Sequence, residues 1–522
     1  MASFGTTGYL VLVVYMVATV LLGLSFAGKQ KNLEGYFLAG RAAPWWAVGI
    51  SVVSCDLSAV SYMGAPAWTY YEDLRYAMGI FMFPIMAVLS AYLFIPFLAR
   101  LKVFTIYEYL EYRFGLGSRL FASSAFLLQR ASHMAIAIYA ISLALQQIVG
   151  WHVWACAAIV GALTTLYTVF GGMKAVLWTD VMQFFVLVGS VLVMAGIVLM
   201  SFHGDVLKIW HVAAEAGHTK LITYHHDFLD AHFWMEMTIW GLFIGLLFNQ
   251  VGQYGSDQVL VQRYVAAGSA RLMARSLIFS AILQIPVMMV LYMLGLGFFA
   301  YYHAPENESL LSSLNELVAK TGDPNLILPH FVRNVLPSSL AGLVFAGLFA
   351  ATMSVFSSGL NSLSTVTCID FVQRLRQQRS NTEEMTLNDA RWITFAWGIL
   401  VTLMAIGVYF AHMGSLLQTA VAIIGFFSGP LLGMFLLGMF SVRANSIGAI
   451  LGAVVGYVVA LLCWNSVSFI WYAVIGCLPA LVCGYVLSLL TPPRRREDIY
   501  PLTIWGRQVL PYRLTKNPAD YD

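Results

Sequence analysis

The run Ser51-Val52-Val53-Ser54-Cys55-Asp56-Leu57-Ser58-Ala59-Val60-Ser61 sets a carboxylate, four hydroxyls and a thiol inside an apolar stretch reaching from about Trp45 to Trp68. An ionisable group near a bilayer centre costs about 2.5 to 3.5 kcal/mol on insertion scales, so Asp56 calls for a cation, a partner or a wet cavity. Gly49, Gly64 and Pro66 flank the cluster, and a helix interrupted there frees backbone carbonyls. Carbonyls, hydroxyls and a carboxylate form the oxygen set that a hard cation of sodium's kind prefers.

Three further polar patches lie in apolar surroundings. Asn249 to Gln258 (NQVGQYGSDQ) reads as a second interruption, or else as the inner end of a helix. Ala351 to Ser362 carries Ser354, Ser357, Ser358 and Asn361 on one helical stripe, suited to ligand binding or to gluing helices together. In Tyr167 to Gln183 (YTVFGGMKAVLWTDVMQ), Gly171 and Gly172 give a tight inner turn, with Asp180 about one turn into the next span. Asp180 either caps that helix or faces the serine stripe.

These patches need elements that hold them at one depth. The 522 residues are 60% apolar and 10% charged, with mean hydropathy +0.78, which marks an all-α integral membrane protein. Thirteen spans are predicted, near 7–27, 45–70, 77–99, 121–149, 151–170, 176–201, 235–255, 274–302, 331–367, 391–412, 415–440, 446–465 and 467–490. The two interruptions stand five spans apart, the pattern of an inverted repeat. The chain then divides into a first helix and inner loop (1–44), a first repeat (45–201), an outer loop (202–234), a second repeat (235–440), two C-terminal helices (441–490) and a cytoplasmic tail (491–522). With the N-terminus outside, 22 of the 28 Lys and Arg fall inside, Arg130 lies within a span, and only Arg75, Lys208, Lys220, Lys320 and Arg333 fall outside. That bias orients the chain N-terminus out and C-terminus in, within a plasma membrane.

The outer loops at about 202–234 and 303–330 are expected to carry short amphipathic helices. The first holds His203, His211, His218, His225, His226 and His232, which lack ligand spacing and read as water-facing side chains of the loop. The six cysteines keep no CxxC spacing and read as packing residues. A net charge of +3 does not suggest nucleic-acid binding, and membrane lipid is the expected surround. No nucleophile elbow or HExxH motif supports an enzyme, and no ring of like charge supports a channel. A carrier, or a transporter-like sensor that binds without carrying, remains.

The motifs together resemble the sodium/solute symporter family. They are GYFLAGR (Gly35 to Arg41) before Trp45-Trp46, the run from Ser58-Ala59 to Gly64-Ala65-Pro66, TIYEYLEYRF (Thr105 to Phe114), YTVFGGMKAVLWTD, Asp257-Gln258 to Gln262-Arg263, and the serine stripe ending Leu360-Asn361-Ser362. The resemblance implies a LeuT-type fold of five plus five inverted helices with one N-terminal and two C-terminal extra helices. It implies a monomeric carrier that couples Na+ to a small-molecule solute by alternating access, with no organic cofactor. The family's main sodium site maps to carbonyls of Ser54, Leu57 and Ala351 and the hydroxyl of Ser354. Its second hydroxyl falls on Val355, which has no side-chain oxygen. Asp56 matches an aspartate of the proline-carrying branch and supplies charge in its place. A further sodium site in some members maps to Asp180, Ser354, Ser357 and Ser358, so the cation is expected to shift toward these residues. Proton coupling through Asp56 or His133 is the alternative. Solute contacts are expected from Asp56, Ser58, Ser61, Arg130, His133, Gln250, Gln253, Tyr254 and Gln284. Arg130 and His133 lie near the carboxylate-binding arginine of the sialic-acid branch, or Arg130 plays a structural part. No glutamate matches the sugar carriers, which favours an organic anion, then an amino acid, over a sugar.

Overall fold

The computed structural model describes residues 5–506 except 226, 228, 379–384, 411–414 and 493–495. The described residues fold into helices, and no strand occurs among them. Nine helices among them are long and apolar enough to cross a bilayer. A tenth crossing comes from the bent pair Trp45–Asp56 and Ala59–Tyr71, inclined at 59°.

The other expected spans are kept or altered for local reasons. Residues Val153–Ser201 are two helices joined across a kink at Gly172, at φ 58° and ψ −161°, so the turn predicted at Gly171-Gly172 is kept: Tyr167 before it and Asp180 after it both reach the Met353–Ser354 level of one helix. A Cβ on Gly172 would lie 2.7 Å from the Tyr36 ring, so both the positive φ and the close packing require glycine there. Asp180 consequently lies about two turns beyond the break, not one. Gly241–Ser256 is short and polar, and Ser446–Leu462 has only 17 residues. The long ninth span begins only at Ser338, after Pro337 separates it from Ile327–Val335, and continues from Val366 into a π-helical stretch, Thr367–Gln373. The outer loops do carry short helices, Val206–Glu215, Ala231–Met235 and Glu308–Thr321.

Both interruptions are real and alike. The first helix stops at Asp56, Leu57 leaves helical geometry, and the Ser58 side chain accepts from the Val60 amide at 3.1 Å. The second stops at Ser256, Asp257 is extended, and its side chain accepts from the Val259 amide at 2.7 Å. Each half-helix thus restarts on its own N-cap, which satisfies amides that the break would leave bare.

Two helices flank the first broken one in a fixed register. Ser51 and Ser354 both donate to Asp180, and one turn or more away Tyr62 meets Ser190 at 2.7 Å and the Val344 carbonyl at 3.5 Å. Rising numbers on the broken helix match falling numbers on Ser338–Val366, so those two run antiparallel, while Val153–Ser201 past its kink runs parallel. The near face of Ser338–Val366 touches Thr7 and Gly8 through Ser338, and beyond its far end Asp370 bonds Thr105. Tyr109, on the helix that follows Thr105, donates to the Leu502 carbonyl at 2.9 Å, so residues 7 and 502 lie on opposite faces.

Candidate functional site

At the first break, the amide of Ser58 donates to the Asp56 carbonyl at 3.0 Å. In a continuous helix it would reach the Ser54 carbonyl, which is thereby left without that partner. With Ser51 and Ser354 both on Asp180 and Tyr62 on the Val344 carbonyl, the antiparallel register sets Ser54 near the level of Ala351. Ser54 adds a buried hydroxyl with no hydrogen-bond partner among the described residues. Val355, one residue past Ser354, is fully buried and contributes no oxygen.

The Asp56 carboxylate points the other way, across to the second broken helix. Gln253 donates to Oδ1 at 2.8 Å, Tyr254 lies 3.3 Å from Oδ2, and Gln284 donates to Oδ2. Tyr254 is closer to Gln284 Oε1, at 3.0 Å, so its single proton is shared between these acceptors. All three partners are neutral. Asp56 also lines a cavity of about 90 Å³. Ser58, Ser61, His133, Gln250, Gln253 and Gln284 line it as well, with apolar walls from Tyr76, Phe83, Met288 and Tyr292. Asn249 Nδ2 and Gln250 Oε1, both buried at this wall, have no partner among the described residues. Tyr254 stands behind the wall, supporting Asp56, and Arg130 is likewise outside the lining.

Arg130 is 4% exposed, and its Nη1 meets only the Nδ1 of His133, at 3.5 Å. Its Nε and Nη2 find no partner among the described residues. A buried guanidinium this poorly satisfied, one turn from a cavity-lining histidine, is a strong anion attractor. Toward Lys220 and Met235, Trp68 packs on Tyr76 and Phe469 and also lines a larger, polar vestibule of about 540 Å³. These rings form the wall between vestibule and cavity.

Asp180 occupies a different setting. It is fully buried and accepts from Ser51 at 2.5 Å, Ser354 at 2.7 Å and Arg263 at 3.2 Å. The same Arg263 Nη2 donates to Ser358. Ser357, expected beside Asp180, instead donates to the Ser354 carbonyl of its own helix at 3.2 Å. The structure therefore brings Asp180, Ser354 and Ser358 together around Arg263, a residue singled out in the sequence only as the end of a motif. Its position in the fully buried half-helix Gln258–Val265 was the available signal.

A second group went unread. Arg119 pairs with Asp370 and Glu111, each at 2.5 Å, and Arg374 pairs with Glu111 at 2.6 Å. Thr105 and Ser123 complete Asp370 at 2.7 and 2.6 Å. This buried network lies toward the face of Leu502. In the outer loop, His232 donates to Asp230 and holds its carboxylate below the usual range, while Asp230 raises His232. His226 lies outside the described residues.

A model of the sodium:solute symporter family matches residues 36–456. The chain is 32% identical over 496 residues to the sodium/sialic acid symporter of Proteus mirabilis, covering 95% of this chain and 97% of the relative. It is 29% identical to the human sodium-coupled monocarboxylate transporter 1, covering 88% and 73%. A solved structure of a Na+-coupled sialic acid symporter, substrate-bound and outward-open, matches with a TM-score of 0.85 at 31% identity, covering 95% of this chain and all of that one.

Proposed function

Because the chain belongs to the sodium:solute symporter family, we propose that it takes up a small carboxylate-bearing solute together with sodium by alternating access. The observation that carries the solute class is Arg130, a buried guanidinium with two unsatisfied nitrogens beside His133 at the cavity. A solute carboxylate drawn to it would satisfy those donors, and Gln250 and Asn249 offer an acceptor and a donor for the rest of the molecule. Relatives named for sialic acid and for monocarboxylates agree with this class.

The coupling ion sits at the first break, held by the carbonyls of Ser54, Leu57 and Ala351 and the hydroxyl of Ser354. Asp56, next to Leu57 and two residues from Ser54, supplies charge where Val355 offers no hydroxyl. Sodium and solute then stabilise each other through the same broken helix, and thermodynamics makes that help reciprocal. Each sodium moving inward through about 100 mV releases roughly 2.3 kcal/mol, more than the ~1.4 kcal/mol that a tenfold accumulation of a neutral solute needs. The solute is imported if the face near Leu502 is cytoplasmic, the orientation favoured by the bias of positive residues.

Uptake into proteoliposomes tests the reading. An inward sodium gradient should drive accumulation of small labelled carboxylates, and Arg130→Gln should abolish it while sodium still raises thermal stability. Uptake driven equally by a proton gradient in choline buffer would transfer the coupling to protons. Sodium-dependent stabilisation without flux of any solute would leave a sensor.

A further inference from the structure

Arg263 holds three groups at once: Asp180 Oδ2 at 3.2 Å, the Ser358 hydroxyl, and Ser51 Oγ at 3.0 Å through Nε. Its remaining Nη1 donates to the Val259 carbonyl at 2.7 Å. Arginine and aspartate are both 0% exposed. The guanidinium therefore occupies the oxygen cluster of Asp180, Ser354 and Ser358, whose chemistry suits a monovalent hard cation. One carboxylate neutralises one positive charge. A sodium ion added beside Arg263 would leave an uncompensated charge in a site closed to water, which is strongly unfavourable. Sodium and guanidinium thus exclude each other.

We propose that Arg263 is a tethered cation that fills the Asp180 cluster when sodium is absent from it, and that sodium enters only by displacing it. This rests on the reading of the chain as sodium-coupled. Displacement has a mechanical consequence. Arg263 sits on the half-helix past the second break and ties it to the first broken helix through Ser51, to the kinked helix through Asp180 and to the serine helix through Ser358. Asp257, at the start of the same half-helix, is within electrostatic reach of Arg263 and can receive the withdrawn charge. Gln262 keeps the half-helix bound to Phe37, Asn361 and Ser362 meanwhile. Sodium entry would loosen one of two ties on that segment and so report ion occupancy to the second broken helix, which also carries the Gln253 and Tyr254 support of Asp56.

The test titrates sodium against choline on the purified full-length protein, following the thermal midpoint and bound radioactive sodium. Arg263→Gln removes the competitor and should lower the sodium concentration for half effect by roughly tenfold or more, with one additional sodium bound. Adding Asp180→Asn to that variant should remove the gain. Arg263→Lys keeps the charge but cannot span Asp180, Ser358 and Ser51 together, so it should give a smaller decrease in the same direction. If Arg263→Gln, or Arg263→Lys where the former does not fold, loses stability equally in sodium and choline with an unchanged sodium midpoint, the arginine is a structural partner and the proposal fails. A wild-type protein with no sodium response would instead overturn the coupling reading itself.

Discussion

Asp56 and Asp180 are two carboxylates on neighbouring transmembrane elements, and their partners are opposite in kind. Asp56 is held by two glutamines and a tyrosine, has no cationic partner at ion-pair distance among the described residues, and faces a cavity. Asp180 is fully buried and paired with Arg263. The contrast teaches that neutral donors hold a carboxylate in shape while leaving its charge for a ligand, whereas a cationic partner uses the charge to hold the fold. Buried charge without compensation is expensive, so it persists where something transient supplies the counter-charge.

Removing each carboxylate should break the symmetry between them. Asp180→Ala strands Arg263 in the core and should cost about 3 to 5 kcal/mol of stability, read as a large fall in thermal midpoint in choline buffer. A small fall would mean Arg263 readily finds another partner. Asp56→Asn keeps the shape and most of the hydrogen bonding, so its stability should change by no more than about 1.5 kcal/mol. Its sodium-driven uptake should nevertheless fall by more than roughly tenfold, because the counter-charge is gone. Equal destabilisation by both variants would erase the distinction drawn here.

Val355→Ser sharpens the comparison from the other side. It adds an oxygen next to Ser354, and the sodium concentration for half-maximal uptake should drop several-fold, an effect of about 1 kcal/mol. No change would move the ion away from the first break. The smallest effect belongs to the outer loop, where Asp230 is lowered and His232 raised by their mutual hydrogen bonds. Stability from the raised histidine is complete below about pH 6.5 and fades as pH rises through its folded value; that from the lowered aspartate holds above about pH 4 and fades as pH falls through its folded value. Asp230→Asn should flatten this slight pH dependence of the thermal midpoint and leave uptake unaltered. An uptake defect would connect the loop to the vestibule.

Much of this arrangement is legible from composition and local pattern. Apolar runs of bilayer length locate most of the helices, and a polar cluster flanked by glycine and proline marks the break at Asp56, because those residues weaken the helix wherever they fall. The N-cap chemistry of Ser58 and Asp257 is equally local. The paired glycines at Gly171-Gly172 likewise mark the kink found at Gly172, whereas the length of a short apolar helix such as Ser446–Leu462 was less secure. A stripe spacing does not say whether a hydroxyl bonds outward or back to its own helix, as Ser357 does toward the Ser354 carbonyl.

The sequence by itself determined the inventory of this protein: which oxygens and charges exist, on which helices, and where those helices break. Only the tertiary structure decided which of them neutralise one another. Asp180 and Arg263 stand 83 residues apart, and Arg119 and Asp370 stand 251 apart. Periodicity and propensity act over a few turns, while the pairing of buried charges is set by how whole helices pack, so the carboxylate left open for a ligand could be distinguished from the one already satisfied only in three dimensions.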